Sequence, residues 1–265
     1  MPIIKTENGY IYKKTAKRTG FSKSLFVITL FLLSVCVVAG SFYAFSKFDL
    51  TSALNLNKYL VFQEKTYYAV SLCSADSFSS LAPMVDEVKY KNGAGFVMKS
   101  GEKYFLLASI YDSQSDAQKV LSQIESQTNE YDAQIVQIQF DRVIISSSFE
   151  INQVMMIKDA LNLVNRSFES LFQIVNMLDR GEILPAEALS KLEVFAKTCR
   201  EEKETFSNAF QNISENIVTS VKIFQSEVVS DLSILSASNN LSADIKYTIL
   251  DICQKFVSLQ KKILK

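Results

Sequence analysis

Residues 24–46 (SLFVITLFLLSVCVVAGSFYAFS) run for 23 positions without a charge. At about 1.5 Å rise per residue a helix of that length covers roughly 34 Å, enough for a hydrocarbon core of about 30 Å. No polar face interrupts the run, so a helix here is apolar on every side and suits lipid. Lys5, Lys13, Lys14, Lys17, Arg18 and Lys23 crowd its N-terminal side, whereas only Lys47 stands close on the other. Basic residues stay on the cytoplasmic side, so residues 1–23 are expected to be a cytoplasmic tail and residues 47–265 to lie outside the cell membrane. Phe42, Tyr43 and Phe45 suit the outer interface.

Three other readings compete. Ala39-Gly40-Ser41 would allow signal-peptide cleavage, but the apolar run exceeds the usual core of about 7–15 residues. Leu33-Ser34-Val35-Cys36 resembles a lipoprotein box, except that Val35 is bulky where that pattern wants a small residue. A buried core helix is the third, disfavoured because no polar face interrupts the run. A retained single anchor fits best.

Lys+Arg and Asp+Glu number 28 each. With the cations gathered ahead of the apolar run, the remainder is acidic, which disfavours nucleic acid as a partner because phosphates need a basic surface. The chain has no His, which removes His-based catalytic triads and the usual zinc sites. Cys36 sits in the apolar run and Cys73 in an apolar strand pattern. Cys199 and Cys253 fall in helical stretches, as unpaired core residues or as a pair if the compartment is oxidising. No C-x-x-C or metal-ligand spacing occurs.

Residues 47–65 read as a linker. From Thr66 short strands alternate with helices. Strands are expected at Tyr67–Cys73, Ala94–Lys99, Lys103–Tyr111 and Tyr131–Ile138, where β-branched and aromatic residues alternate. Helical spacing of Phe78, Leu81, Val85 and Val88 predicts one helix, bent or delayed by Pro83, and Ala117, Val120, Leu121 and Ile124 predict a second. The order βαββαβ over residues 66–140 is that of a ferredoxin-like α+β unit. Right-handed crossovers put both helices on one face of an antiparallel sheet. The other face stays free unless the C-terminal helices cover it.

These segments resemble the SPOR (sporulation-related repeat) domain family. Tyr68-Ala69-Val70-Ser71-Leu72-Cys73-Ser74 is similar to its first strand, and Tyr104-Phe105-Leu106-Leu107-Ala108-Ser109-Ile110-Tyr111 to its third. Ser113-x-x-Asp116-Ala117 resembles the start of its second helix. Tyr131-Asp132-Ala133-Gln134-Ile135-Val136 is similar to its last strand, with Glu130 in place of a glycine. The resemblance implies a bacterial envelope protein of division or sporulation that recognises septal peptidoglycan glycan strands stripped of stem peptides. The implied glycan-binding residues are Tyr68, Ser71, Tyr104, Leu106 and Ser109. Departures count against this: Ser71 stands near the family's glutamine, Cys73 and Ala108 replace glycines, and the third strand lacks its arginine.

Beyond Phe140–Ser148, a short strand or connector, the period becomes helical. Val154, Ile157, Leu161, Val164, Phe168, Leu171, Val175 and Leu178 form a heptad seam over a helix from about Phe149 to Asp179. Gly181 suits its C-cap and Pro185 the next helix start. From Pro185 to Ala237 there is no Gly or Pro, and an eleven-residue apolar repeat (Phe206, Ile217, Val228; Phe210, Val221, Leu232; Ile213, Phe224, Leu235) suggests one long helix. Ile245, Ile249, Ile252, Phe256, Leu259 and Ile263 form a further seam. Residues 149–265 therefore read as a helical bundle or coiled coil.

No nucleophile has a recognisable base and no phosphate loop is present, so a non-enzymatic protein without cofactor or metal is expected. Two functions remain: a membrane-anchored reader of peptidoglycan glycan, or a helical scaffold that assembles envelope proteins or copies of itself, its SPOR-like domain no longer binding glycan.

Overall fold

The computed structural model describes residues 58–127, 131–146 and 149–264, together with two short strands near the N-terminus. The expected membrane span, residues 24–46, lies outside the described residues, as does Cys36. Among the described residues no helix is long and apolar enough to cross a membrane. Within residues 1–57, β1 (Ile4–Lys5) pairs antiparallel with β2 (Ile11–Tyr12).

The chain from Lys58 onward is mixed α and β. Its β-rich half contains β3 (Lys58–Phe62), β4 (Lys65–Ala75), α1 (Phe78–Tyr90), β5 (Phe96–Ser100), β6 (Lys103–Tyr111), α2 (Gln114–Gln127), β7 (Gln134–Phe140) and β8 (Val143–Ser146). Four strands form an antiparallel sheet in the order β5-β6-β4-β7. Helix α1 starts five residues ahead of Pro83, so the proline does not delay it. Its cap is Ser77, whose hydroxyl accepts from the Ser80 N–H at 3.3 Å. Beyond Tyr90 the chain turns at Asn92 (φ 61°) and Gly93, where a Cβ would stand 2.6 Å from the Val88 side chain. Only glycine fits there.

The register of β4 against β6 slips twice: Val70 faces Ser109, Ser71 faces Leu107, and Cys73 faces Leu106. Ala108 and Leu72 are left unmatched, one bulge on each strand, which sharpens the local twist.

Residues 58–62, expected within a linker, instead pair with β8, Tyr59 opposite Ile145 and Leu60 opposite Ile144. The strand was hidden because its partner lies more than eighty positions away in the chain. Val61, Val143 and Ile145 are buried, and Leu60 and Ile144 face outward.

The helical half contains α3 (Ile151–Leu161), α4 (Leu163–Asp179), α5 (Pro185–Ala209), α6 (Asn216–Ile234) and α7 (Leu241–Ile263). The first seam holds its apolar face but breaks at Asn162, which ends α3 and precedes α4. Gly181 (φ 68°) turns the chain after α4. The expected single helix over 185–237 is corrected to two, because the chain reverses between Ala209 and Asn216. Phe210 is fully buried at that turn, and Lys222 Nζ donates to its carbonyl at 2.8 Å. A cation thus satisfies a carbonyl that a continuing helix would have used.

Residues 58–265 form one compact unit, so the expected division at 140–149 is not a boundary between separate bodies. The reason lies in α7. Ile245, Ile249, Ile252, Phe256 and Leu259 are buried, and so are Leu250 and Cys253 on other sides of the same helix. A helix buried on several sides is a central element. It lies against the sheet, with Phe256 meeting Phe140 at 4.9 Å and Tyr247 meeting Phe96 at 5.0 Å between ring centroids. Helix α4 adds Phe168 against Tyr67 at 4.3 Å. The sheet face opposite α1 and α2, expected to be free unless the C-terminal helices cover it, is therefore covered by α4 and α7.

Candidate functional site

The five residues implicated by the family resemblance do not share a surface. Ser71 is fully buried, and its hydroxyl donates to the Cys73 carbonyl at 2.9 Å and toward that of Leu106 at 3.4 Å. Its polar group is spent on the bulge. Leu106 is fully buried in a cluster with Leu72, Leu81 and Val88, on the α1 side of the sheet. Tyr104 packs half-buried against the same cluster, with Lys99 Nζ 5.5 Å from its ring centroid. Tyr68 is half-buried beside its register partners Tyr111 and Gln137. Ser109 lines a crevice of about 200 Å³ at the β6 edge, with Asn92, Tyr111, Phe172 and Lys246. A sugar platform needs adjoining aromatic and hydrogen-bonding groups on one accessible face. These residues are divided among the α1 layer, a bulge and an edge crevice.

A polar network occupies the corner after α1. Lys246 Nζ lies 2.6 Å from Asp179 Oδ2 and donates to the Asn92 carbonyl at 2.8 Å. Asn240 Nδ2 donates to the Lys89 carbonyl at 2.6 Å, and Lys89 Nζ reaches Asp244 at 3.4 Å. The first turns of α7 are thereby locked onto the α1–β5 corner. At the other end, Gln260 makes a two-point contact with Asp141: the Asp141 N–H donates to Oε1 at 3.0 Å, and Nε2 donates to the Asp141 carbonyl at 2.5 Å. Gln260 is 2% exposed, so leaving its buried amide without these partners would be costly. Polar locks at both ends and aromatic packing between them hold α7 on the sheet.

A second concavity, of about 350 Å³, opens between α3, α4, α5 and α6. Arg166 crosses it, donating from Nη2 to Glu202 Oε2 at 2.5 Å and from Nη1 to the Asp159 carbonyl at 3.1 Å. Asp159, Glu201 and Gln225 also line it.

Among the described residues no group of three or more His, Cys, Asp or Glu is placed to hold a metal. Cys73, Cys199 and Cys253 are free thiols, so the structure contains no Cys199–Cys253 bond. Burial, with Glu202 adding to it, pushes the Cys199 thiol up to about 12. Burial raises Cys253 as well, and burial followed by Asp132 raises Cys73. Protonated thiols are poor nucleophiles. Lys255 bridges Asp231 and Asp251 at 2.6 and 2.7 Å. Burial raises Asp231 above the usual carboxylate range, against the opposing pull of Lys255. This arrangement joins α6 to α7 and has the form of a structural ion pair.

The groove between α3, α4, α5 and α6 was legible in neither motif nor period. Gln225 was also missed, although it interrupts an apolar stripe in which Val218 and Leu232 stand seven positions to either side.

Comparison of the chain with family models, with curated proteins and with solved structures gives no match in any of the three.

Proposed function

We propose that the protein is a non-enzymatic assembly protein of the bacterial cell envelope, anchored by residues 24–46, whose SPOR-like unit serves as a platform for its helices. The anchor rests on the uncharged run and on the cations that precede it. The envelope setting rests on the SPOR resemblance. The order βαββαβ from Lys65 to Phe140, with strands arranged β5-β6-β4-β7, supports the ferredoxin-like reading of that unit.

One observation carries the choice between the two functions: α7 lies on the sheet face that a glycan would need, with Phe256 and Tyr247 packed on Phe140 and Phe96. A glycan cannot reach that face while α7 remains there. In this reading the protein works by tethering. The anchor confines it to the membrane, which raises its effective concentration toward envelope partners that bind the helical half.

The test is sedimentation of the full chain, in detergent micelles, with peptidoglycan sacculi before and after amidase removal of stem peptides. Equal, background-level retention is expected in both. Retention that rises after amidase treatment would restore glycan recognition.

A further inference from the structure

We propose that the groove between α3, α4, α5 and α6 is a binding site for an alkylammonium group. Gln225 lines this groove and is 1% exposed, yet its Oε1 has no hydrogen-bond partner. An unpaired buried carbonyl oxygen is costly, and helix α6 holds valine and leucine at the equivalent stripe positions Val218 and Leu232. An apolar residue there would avoid the cost. Retaining an acceptor makes sense if something donates to it.

The surroundings define the donor. Asp159, Glu201 and Glu202 bring three carboxylates to the groove against the single guanidinium of Arg166. Arg166 is already occupied by Glu202 and by the Asp159 backbone. Glu201 has Lys197 at 4.0 Å, but the Asp159 carboxylate has no ion pair or hydrogen bond among the described residues. Anions are therefore repelled. A neutral hydroxyl would satisfy Gln225 but leave the charge of Asp159 unanswered. An ammonium group, with three donors and one positive charge, answers both. Met156, Ala160 and Phe206 supply apolar wall for a short alkyl stem. The volume of about 350 Å³ is that of a small-ligand pocket. The same chemistry is presented by a free diamine and by a lysine side chain of a peptide. This site is independent of what becomes of the sheet face.

The test is calorimetric titration of the full chain in detergent micelles with 1,4-diaminobutane, with Nα-acetyl-lysine N-methylamide and with 1-butanol. At least one amine is expected to bind, at least tenfold more tightly than 1-butanol. Tighter binding of the diamine identifies a free amine as the ligand, and tighter binding of the lysine amide identifies a peptide side chain. Asp159→Asn, an exposed and structurally mild change, is expected to weaken the amine at least fivefold. Gln225→Leu is expected to abolish binding while keeping the wild-type circular dichroism spectrum. Absence of binding by both amines overturns the proposal. So does equal binding of 1-butanol, or amine binding unchanged in Asp159→Asn.

Discussion

Phe256 on α7 and Phe140 on β7 meet edge to face, with ring centroids 4.9 Å apart and planes inclined by 65°. Phe256 also touches Phe62 on β3 at 4.7 Å and Phe224 on α6 at 5.5 Å. One side chain, fully buried, thus joins the sheet, the β3–β8 ribbon and the helical hairpin.

Phe256→Ala is accordingly expected to cost about 3–5 kcal/mol, the range for deleting a buried aromatic ring. Because the ring joins both halves, the loss should appear in strands and helices together. Denaturant unfolding followed by far-ultraviolet circular dichroism and by tyrosine fluorescence checks this: one coincident, shifted transition is expected. Two separated transitions would mean that the halves are independent domains.

Gln225→Leu should stabilise the protein by about 1–3 kcal/mol in the absence of any ligand, since it removes an unpaired buried acceptor and keeps the side-chain volume. Thermal unfolding of wild type and variant measures it. A lower Tm in the variant would show that Oε1 is satisfied in the free protein.

How much of this was legible in the sequence differs from element to element. Strand β6 was read at its observed bounds, Lys103–Tyr111, because its alternation and flanking turn are local. The heptad seams also marked buried positions correctly, from Val154 to Val175 and from Ile245 to Leu259. The eleven-residue repeat misled. It marked positions that are buried or packed on the core, but they lie on two antiparallel helices, at the turn between them and, for Leu235, in the 3-10 turn that follows α6. An apolar period reports which side chains are buried, not whether the chain continues straight. The turn is fixed by the burial of Phe210 and by Lys222 reaching back to its carbonyl, both long-range choices. Likewise, the seam on α7 required a partner without naming it, so the covered sheet face could only be posed as an alternative. Tyr68, Ser71, Tyr104, Leu106 and Ser109 do not share a face, because Tyr68 and Ser71, like Leu106 and Ser109, stand three positions apart, an odd spacing that regular alternation puts on opposite faces, and the unmatched Leu72 and Ala108 disturb that alternation in both strands.

The thiols provide a local readout of folding. Cys199 and Cys253 are each 1% exposed and burial holds both as neutral thiols. Alkylation with iodoacetamide should modify Cys73, which is half-exposed, ahead of either. Raised thiol pKa values in the fold mean that their stabilising effect is present below the ordinary value of 9.0 and is lost as pH climbs through the folded values. Stability should therefore decline on the alkaline side of pH 9.0, and Cys253→Ala should flatten that decline. Peptide mass mapping and urea titrations at rising pH check the two statements.

Asp231 sets a dependence on the acid side. Burial raises its pKa in the fold, so its protonated form is the one that folding favours. Its contribution is present below the ordinary 3.8 and is lost as pH rises through the raised folded value. Relative to Asp231→Asn, wild type should lose stability on passing from acid toward neutral pH. A difference that stays flat, or one that grows in favour of wild type, would show that the Lys255 bridge outweighs burial.

The covered sheet face is tested most directly by placing a thiol on it. Ala69 is 0% exposed and belongs to the core shared with the C-terminal helices. With the four native cysteines replaced by alanine, the full chain carrying Ala69→Cys is treated with a maleimide under native conditions, and Ser100→Cys, at an exposed strand end, serves as reference. If α4 and α7 stay on the sheet, labelling needs an opening of the structure and should be slower than the reference by on the order of 100-fold or more. Labelling of Ala69→Cys at the reference rate, in a chain that remains folded, would mean that the face is open and would return glycan recognition to the front.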